Sequence, residues 1–465
     1  MNTPVLDAAF VARALGPRLR AIEGSAATPF TRAVVDSREV RPGDLFVALP
    51  GERADGHEFA AAAVRAGAAG CLLARPIEGV GAATAFIVDD TLAALQDLGA
   101  AWRTMLPVQV TGITGSVGKT TTKWIAAAVL AGRYRVQANP LNYNNEVSVP
   151  LCLLELRPDT ERAVIEMGMY STGEIALLCR WALPRVGVVL NVGPVHLERA
   201  GSIEAIVRAK RELPEALPPD GVAILNADDE HVRSMAPYTR ARILWFGTME
   251  DAAVRGSDLT SHGLDGFECT MSHAGASRRV RVPLAGAHLL SNALAAAAVG
   301  LADGMNLDEV CEALTRLDVP SRIRVVTLRD GIRIFDDTYN AQPASMRAAL
   351  DLLAETPGRH LALLGDMREL GPASQAEHRL AGEYAARVTA LVLTIGDEAR
   401  VLGEAAGAAG VKTHHCATRE DATAALLAEL QPGDVVLVKG SHVLGLDYVV
   451  TALEAALGQP EGGTA

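Results

Sequence analysis

The segment Thr114-Gly115-Ser116-Val117-Gly118-Lys119-Thr120 joins a β-branched run at 108–113 to a helix-prone run from Lys119 to about Ala131. A glycine-containing loop between a strand and a helix aims backbone N–H groups and the positive helix end at phosphate. In that setting Lys119 reaches β- and γ-phosphates, and the Thr120 hydroxyl ligates Mg²⁺. The strict spacing of such loops wants glycine at 113, where Ile113 stands between Gly112 and Gly115. The chemistry is binding of a nucleoside triphosphate, and the loop alone says no more.

Other polar residues fall where strand-like runs end. Glu166 closes RAVIE (162–166); a carboxylate there holds Mg²⁺ or is a solvated loop acid. His196 follows VGVVLN (186–191) and reads as a metal or phosphate contact or as a structural histidine. Lys210 lies on a helix beginning near Ser202, where a solvated lysine is the plain reading. Asn142, Asn144 and Asn145 cluster in the way that commonly marks a turn. Towards the C-terminus Asp336 and Asp337 end one strand, Asp366 another and Lys439 a third.

These residues need a frame. The chain has 465 residues, which at roughly 150 per domain predicts about three domains. Near the start, AVVDS, DLFVAL, GCLLA and AFIVDD read as strands, with a helix at 57–66 and another from about Thr91 to Arg103. Pro107 opens a second block, with strands at 108–113, 162–166, 186–191, 222–225 and 243–246. Residues 250–283 carry Gly, Ser and Thr with short alternation, predicting a β-hairpin region, and an Ala-rich helix follows at about 291–302. After LDVPSR (317–322) the pattern restarts: strand GIRIFDD, helix 344–354, strand HLALLGD, helix 374–387, strand ALVLTIG, a helix, strand DVVLVKG, a helix. Such alternation predicts mostly parallel, doubly wound sheets with ligands at the carboxyl ends of strands. The expected fold class is α/β in three domains. A central P-loop NTPase-like domain (106–318) is flanked by a small N-terminal α/β domain (1–105) and a C-terminal Rossmann-like domain (319–465). Hinges are expected near 105 and 319.

Composition excludes several classes. Hydrophobic residues at 49% and charged residues at 21% exclude intrinsic disorder. With 43 basic and 55 acidic residues the net charge is −12, the wrong sign for a generic nucleic-acid binder. An anionic substrate must then be held by local Lys, Arg and N–H groups. The six cysteines, at 71, 152, 179, 269, 311 and 416, contain no CxxC pair, so buried free thiols are expected rather than zinc or disulfides. No signal peptide or membrane span is expected, and the expected compartment is the cytoplasm.

Read outward from the phosphate loop, the whole chain resembles the Mur ligase family. The segments that carry this are DSREVRPGDLFVALPGERADGHEF (36–59), TGSVGKTTTK (114–123), NYNNEVSVP (142–150), EMGMYSTGEI (166–175), NVGPVHLERAGSIEAIVRAKREL (191–213), LNADD (225–229), DDTYNAQPAS (336–345), GDMRELG (365–371) and VKGSH (438–442). DDTYNAQP and GDMRELG resemble the members that add D-alanyl-D-alanine, and differ from the diaminopimelate-, lysine- and D-glutamate-adding relatives. Folylpolyglutamate synthetases share the loop but lack the DSR…GDLFVAL…DGH block. The chain departs from the usual family pattern at Ser148, Leu289, Ser321, Gln342 and His442.

The resemblance implies ATP-driven amide formation with Mg²⁺, on UDP-N-acetylmuramoyl-tripeptide and D-alanyl-D-alanine, by a monomer with no nucleic-acid partner and no membrane insertion. It implies that Glu166 and His196 join Thr120 at metal, and that Lys119, His196 and Lys210 serve catalysis. Lys210 corresponds to a lysine that relatives carry as a carbamate, a modification that needs its neutral amine. By the same resemblance Asn142, Asn144 and Asn145 lie beside the γ-phosphate and the muramoyl substrate. Ser37 and Arg38 belong to the uridine-diphosphate end. Asn292 and Arg322 contact ATP and Asp337 its ribose. Tyr339, Asn340, Asp366 and Lys439 shape the dipeptide pocket.

Overall fold

The computed structural model describes residues 4–24, 29–51, 54–194, 201–319 and 324–458. His196, Arg322 and Ser321 lie outside the described residues. Three sheets follow one another along the chain.

The first block runs α1 (Ala8–Leu15), β1 (Leu19–Glu23), β2 (Ala33–Val34), β3 (Leu45–Val47), α2 (Ala60–Arg65), β4 (Gly70–Leu73), β5 (Thr84–Val88) and α3 (Thr91–Thr104). Its sheet has the order β1-β5-β4-β3-β2, parallel except where β1 meets β5. Asp90 starts α3 by accepting from the Ala93 N–H.

The second block begins β6 (Gln109–Thr114), α4 (Lys119–Ala131), β7 (Val136–Ala138), α5 (Ser148–Leu154), β8 (Arg162–Glu166), α6 (Glu174–Ala182) and β9 (Val186–Val189). It continues α7 (Ile203–Ala216), β10 (Val222–Asn226), α8 (Glu230–Arg233) and β11 (Arg242–Gly247). The predicted hairpin region forms β12 (Val254–Ser261), β13 (Phe267–His273) and β14 (Ala276–Val282), and α9 (Leu290–Ala302) and α10 (Leu307–Thr315) follow. The nine strands lie in the order β14-β13-β12-β11-β10-β9-β6-β8-β7. The strands β6, β8 and β9 are buried along nearly their whole length, as parallel strands covered on both faces must be. The Ala-rich helix α9 is buried from Asn292 through Gly300 and packs against α4 behind the phosphate loop.

The third block comprises β15 (Arg324–Thr327), β16 (Arg333–Asp337), α11 (Pro343–Glu355), β17 (His360–Gly365), α12 (Ser374–Val388), β18 (Leu391–Ile395), α13 (Ala399–Ala408), β19 (Lys412–Cys416), α14 (Arg419–Glu429), β20 (Val435–Lys439) and α15 (Asp447–Leu457). Its order is β15-β16-β20-β17-β18-β19, parallel except for β15.

Four strands were not expected: β1, β7, β15 and β19. Each is the outermost strand of its sheet. Where one helix was expected between ALVLTIG and DVVLVKG, the chain forms α13, then β19 of sequence KTHHC, then α14. A free hinge near 105 also conflicts with the packing. Trp102 Nε1 donates to the Leu156 carbonyl at 2.9 Å, and Arg103 Nε donates to the Ala182 carbonyl at 2.9 Å. One apolar core runs from Phe10 and Leu98 of the first block into Leu153 and Leu178 of the second, so opening at 105 would expose it.

All six cysteines are free and buried. Burial pushes the Cys71, Cys152 and Cys179 thiols up to about 12. Among the described residues no helix is long and apolar enough to cross a membrane.

Candidate active site

Register brings the chemistry together. In the central sheet β6 lies between β8 and β9, with Ile113 opposite Glu166 and Thr114 opposite Val189. The carboxyl ends of these three strands therefore place the phosphate loop beside Glu166 on one side and Asn191 on the other. Gly118 starts α4 with φ 84°, a left-handed conformation that glycine takes without strain. A Cβ there would also stand 2.4 Å from Asn292 Nδ2.

The loop is braced before any phosphate arrives. Asn191 accepts from the Val117 N–H at 2.9 Å and donates to its carbonyl at 3.1 Å. Ser116 Oγ donates to the Gly193 carbonyl, and the Gly193 N–H donates back to it at 2.8 Å. Asn292 on α9 donates to the Gly118 carbonyl at 3.1 Å and to Thr122 Oγ1 at 2.8 Å. Lys119 Nζ folds onto the loop and donates to the Gly115 carbonyl at 2.8 Å. The first N–H groups of α4 point out of the helix end, where an anion completes them.

Glu166 is 1% exposed. Its Oε1 accepts from Asn144 Nδ2 at 2.8 Å, and its backbone is clasped by Asn139. Its Oε2 takes no hydrogen bond, though the ammonium of the fully buried Lys123 stands 3.6 Å away. Lys123 also donates to the Leu141 carbonyl at 2.6 Å. Leu141 has φ 43°, a left-handed backbone unusual for leucine. Lys123 thus ties the Asn142–Asn145 loop, the phosphate-loop helix and Glu166 to one another. Lys123 ends the segment TGSVGKTTTK, but a lysine between two turns of helix carries no signal of burial in the sequence.

Replacing Lys123 with Met keeps the side-chain length and removes the charge. Glu166 is then left buried without its cation, and the expected loss of stability is about 3 kcal/mol in urea denaturation. Adding Glu166→Gln to Lys123→Met is expected to cost much less than the sum of the single changes. Strict additivity would show that the two groups do not interact.

A cavity of about 760 Å³ opens above these strand ends and extends to the third sheet. It is lined from the central block by Ser116 to Thr120, by Asn142, Asn144 and Asn145, and by Glu166, Lys210 and Asn292. From the third block it is lined by Asp337, Tyr339, Asn340 and Lys439. The register sets Asp337 opposite Lys439; Lys439 Nζ donates to Asp337 Oδ2 at 2.6 Å and to the Asn340 carbonyl at 2.8 Å. Burial keeps His288, also on the wall, below its usual imidazole value.

Lys210 on α7 is 2% exposed. Burial, and secondly the nearby Lys119 charge, hold its amine well below the usual lysine range. Among the described residues no acid offsets either cause.

Five of the described sequence-predicted residues stand off the cavity wall. Thr114 and Gly115 lie beneath it, at the end of β6. Asp366 is fully buried and accepts from the Glu398 and Ala399 N–H groups at 3.0 and 2.8 Å, holding the start of α13. Ser37 and Arg38 follow β2, where Arg38 pairs with Asp36. That loop borders the asparagine loop, since the Tyr143 hydroxyl is pushed up by burial and then by Glu39 and Asp36 among other acids. Residues on the wall that sequence reading did not assign include Asn191, His288, Arg368, Glu398 and Ser441.

The donor set fits Mg²⁺. A buried carboxylate oxygen without a hydrogen bond (Glu166 Oε2) and a hydroxyl on a phosphate loop (Thr120) are hard oxygen ligands. Among the described residues no three His, Cys, Asp or Glu side chains form a metal cage. Nucleotide phosphates and water would complete the shell, as Mg²⁺ prefers.

Comparison with known proteins agrees with this geometry. Family models described as "Mur ligase family, catalytic domain", "Mur ligase middle domain" and "Mur ligase, glutamate ligase domain" match residues 31–103, 113–300 and 321–442. The chain is 41% identical to the UDP-N-acetylmuramoyl-tripeptide–D-alanyl-D-alanine ligase of Synechocystis, covering 90% of this chain and 91% of that one. It is 37% identical to the ligase of the same name from Escherichia coli, covering 90% and 92%. Among solved structures it is similar to MurF from Acinetobacter baumannii, with TM-score 0.88 and 30% identity over 98% of this chain and 100% of that one. It is also similar to the MurF ligase of Thermotoga maritima in complex with ADP, with TM-score 0.79 and 31% identity over 91% and 97%.

Proposed function

The chain belongs to the Mur ligase family, and from that premise we infer that it joins D-alanyl-D-alanine to the C-terminal carboxylate of UDP-N-acetylmuramoyl-tripeptide at the expense of ATP. The products are UDP-N-acetylmuramoyl-pentapeptide, ADP and phosphate, in peptidoglycan synthesis. The observation that carries this reading is a single cavity with a phosphate loop, Glu166 and Lys210 on one wall and the Asp337–Lys439 strand ends on the other.

A carboxylate is a poor acyl donor at neutral pH. In the proposed reaction its oxygen attacks the γ-phosphorus of ATP, the bond to ADP breaks, and an acyl phosphate forms. The dipeptide amine then attacks the carbonyl carbon and loses a proton. Phosphate leaves, carrying the original carboxylate oxygen. Lys119 and the N-terminus of α4 hold the phosphates against their own repulsion. Thr120 and Glu166 would hold Mg²⁺, whose charge offsets that gathering on the transferred phosphoryl group. Asn142, Asn144 and Asn145 line the path from the first block. Ser37 and Arg38 take the uridine-diphosphate end, whose pyrophosphate suits a guanidinium.

Lys210 in its neutral form is the species that adds carbon dioxide to become a carbamate, and the depressed pKa supports that role. Asn292 serves ATP by holding Gly118. Asp337 is assigned to ribose, Tyr339, Asn340 and Lys439 to the dipeptide end, and Asp366 to a supporting place behind that wall, against Arg368. Resemblance assigns His196 to metal and Arg322 to ATP.

The three working units are 1–105, 106–318 and 319–465. The reading includes action as a monomer. It also includes a cytoplasmic location.

Phosphate release tests the reading. With ATP and Mg²⁺, release is expected only when UDP-N-acetylmuramoyl-tripeptide and D-alanyl-D-alanine are both present. Release that ignores the dipeptide, or none with either the lysine or the diaminopimelate tripeptide, would refute it.

A further inference from the structure

The proposed dipeptide brings a carboxylate that the reaction never touches, and a buried anion needs a partner. Four described cations line the cavity: Lys119, Lys210, Arg368 and Lys439. Lys119 belongs to the phosphate loop, Lys210 is sealed beside it, and Lys439 is paired with Asp337 at 2.6 Å. Arg368 is the guanidinium on the wall of the third block, with its side chain 49% exposed.

Arg368 is held in place from below. Its Nη2 stands 3.2 Å from Oδ2 of the fully buried Asp366, which is itself fixed by two N–H groups of α13. A guanidinium has five N–H donors, and this contact is an ion pair without hydrogen-bond geometry, so it uses none of them. The start of α11 lies beside it: Gln342 Nε2 donates to the Arg368 carbonyl at 3.2 Å, and Ala344 and Ser345 line the cavity. The positive end of this 13-residue helix favours the same anion. Gln342 is 7% exposed and its Oε1 takes no hydrogen bond. An acceptor in that state suits the one peptide N–H of the dipeptide. Glu369 and Glu398 share the wall, so the surface carries both signs and suits a zwitterion better than a plain anion.

We propose that Arg368, with the N-terminus of α11 and Gln342 Oε1, receives the C-terminal carboxylate and peptide N–H of the incoming D-dipeptide. This rests on the ligase reading above and assigns the end of the substrate that reading leaves open.

The test compares D-alanyl-D-alanine with its C-terminal amide, D-alanyl-D-alaninamide, as acceptors. The wild-type protein is expected to prefer the acid by about tenfold or more in kcat/KM, because a site built for a charged group rejects the analogue that lacks it. In Arg368→Ala the KM for the acid is expected to rise about tenfold or more, and the acid/amide preference to collapse towards unity. The KM for ATP reports on the other wall and is expected to stay. Arg368→Lys, which keeps a point charge without the fork, is expected to restore part of the preference. A wild-type acid/amide preference retained in Arg368→Ala would overturn the proposal, as would a wild-type protein indifferent to the amide. Failure of the wild type to use the dipeptide at all would remove the ligase reading, and the proposal with it.

Discussion

Lys119→Ala is expected to lower kcat for ATP-dependent ligation by about 10³-fold while the protein stays folded. Lys119 is the cation that the loop itself supplies to the phosphates. Its ammonium rests on the Gly115 and Ser116 carbonyls, at 2.8 and 3.3 Å, a position from which it swings to an incoming anion. Removing one such charge from a water-poor site typically costs 10²–10³ in rate, and more where the developing charge is a phosphoryl group. Stability should change little. Asn191, Gly193 and Asn292 hold the loop independently of Lys119. Steady-state kinetics with a thermal melt separates the two effects. A Lys119→Ala variant that keeps full function in vivo would favour a nucleotide-binding scaffold over an enzyme.

The second large effect is expected at Lys210, with opposite signs in stability and activity. The side chain is 2% exposed, and its charged form is opposed both by burial and by Lys119. Burying an ammonium without a compensating acid costs free energy, so a methionine of similar length should leave the melting temperature unchanged or raise it. Ligation should nevertheless fall by about 10²-fold or more, since groups held against their stability preference cluster at catalytic sites. If Lys210 acts as a carbamate, bicarbonate should stimulate the wild type and leave Lys210→Met unaffected. A destabilised but active Lys210→Met would make Lys210 a structural residue.

How much of this was legible in the sequence depended on burial. The central parallel strands are buried on both faces, so they read as unbroken Val and Ile runs, and RAVIE matched β8 residue for residue. The helix after the phosphate loop likewise ran from Lys119 to Ala131. The strands β1, β7, β15 and β19 sit at sheet edges. There one face and one flank meet water, and sequences such as LRAIE and KTHHC lose the apolar pattern that announces a strand. The hinge expected at 105 failed for a related reason. Proline and polar residues mark the chain's turn, but Trp102 and Arg103 bond to carbonyls more than fifty residues away.

In the site, motif spacing was enough to find the phosphate loop and Glu166, because backbone geometry ties them to adjacent strand ends. It could not show that Lys123 turns inward to Glu166. Nor could it show that Asp366 acts beneath the wall and Arg368 on it. Those facts depend on which face of an element meets which neighbour, and one residue of rotation changes the answer. The departures at Leu289, Gln342 and His442 also gained context: Leu289 and Gln342 line the cavity, and His442 packs near Tyr339, with ring centroids 6.2 Å apart.

The central claim is that the tripeptide carboxylate is activated by phosphorylation. It is tested most directly with UDP-N-acetylmuramoyl-tripeptide carrying oxygen-18 in its terminal carboxylate. With ATP, Mg²⁺ and D-alanyl-D-alanine, one labelled oxygen should appear in the phosphate released for each amide bond formed. Amide formation with unlabelled phosphate would contradict the account, because the carboxylate oxygen would then have left by another route.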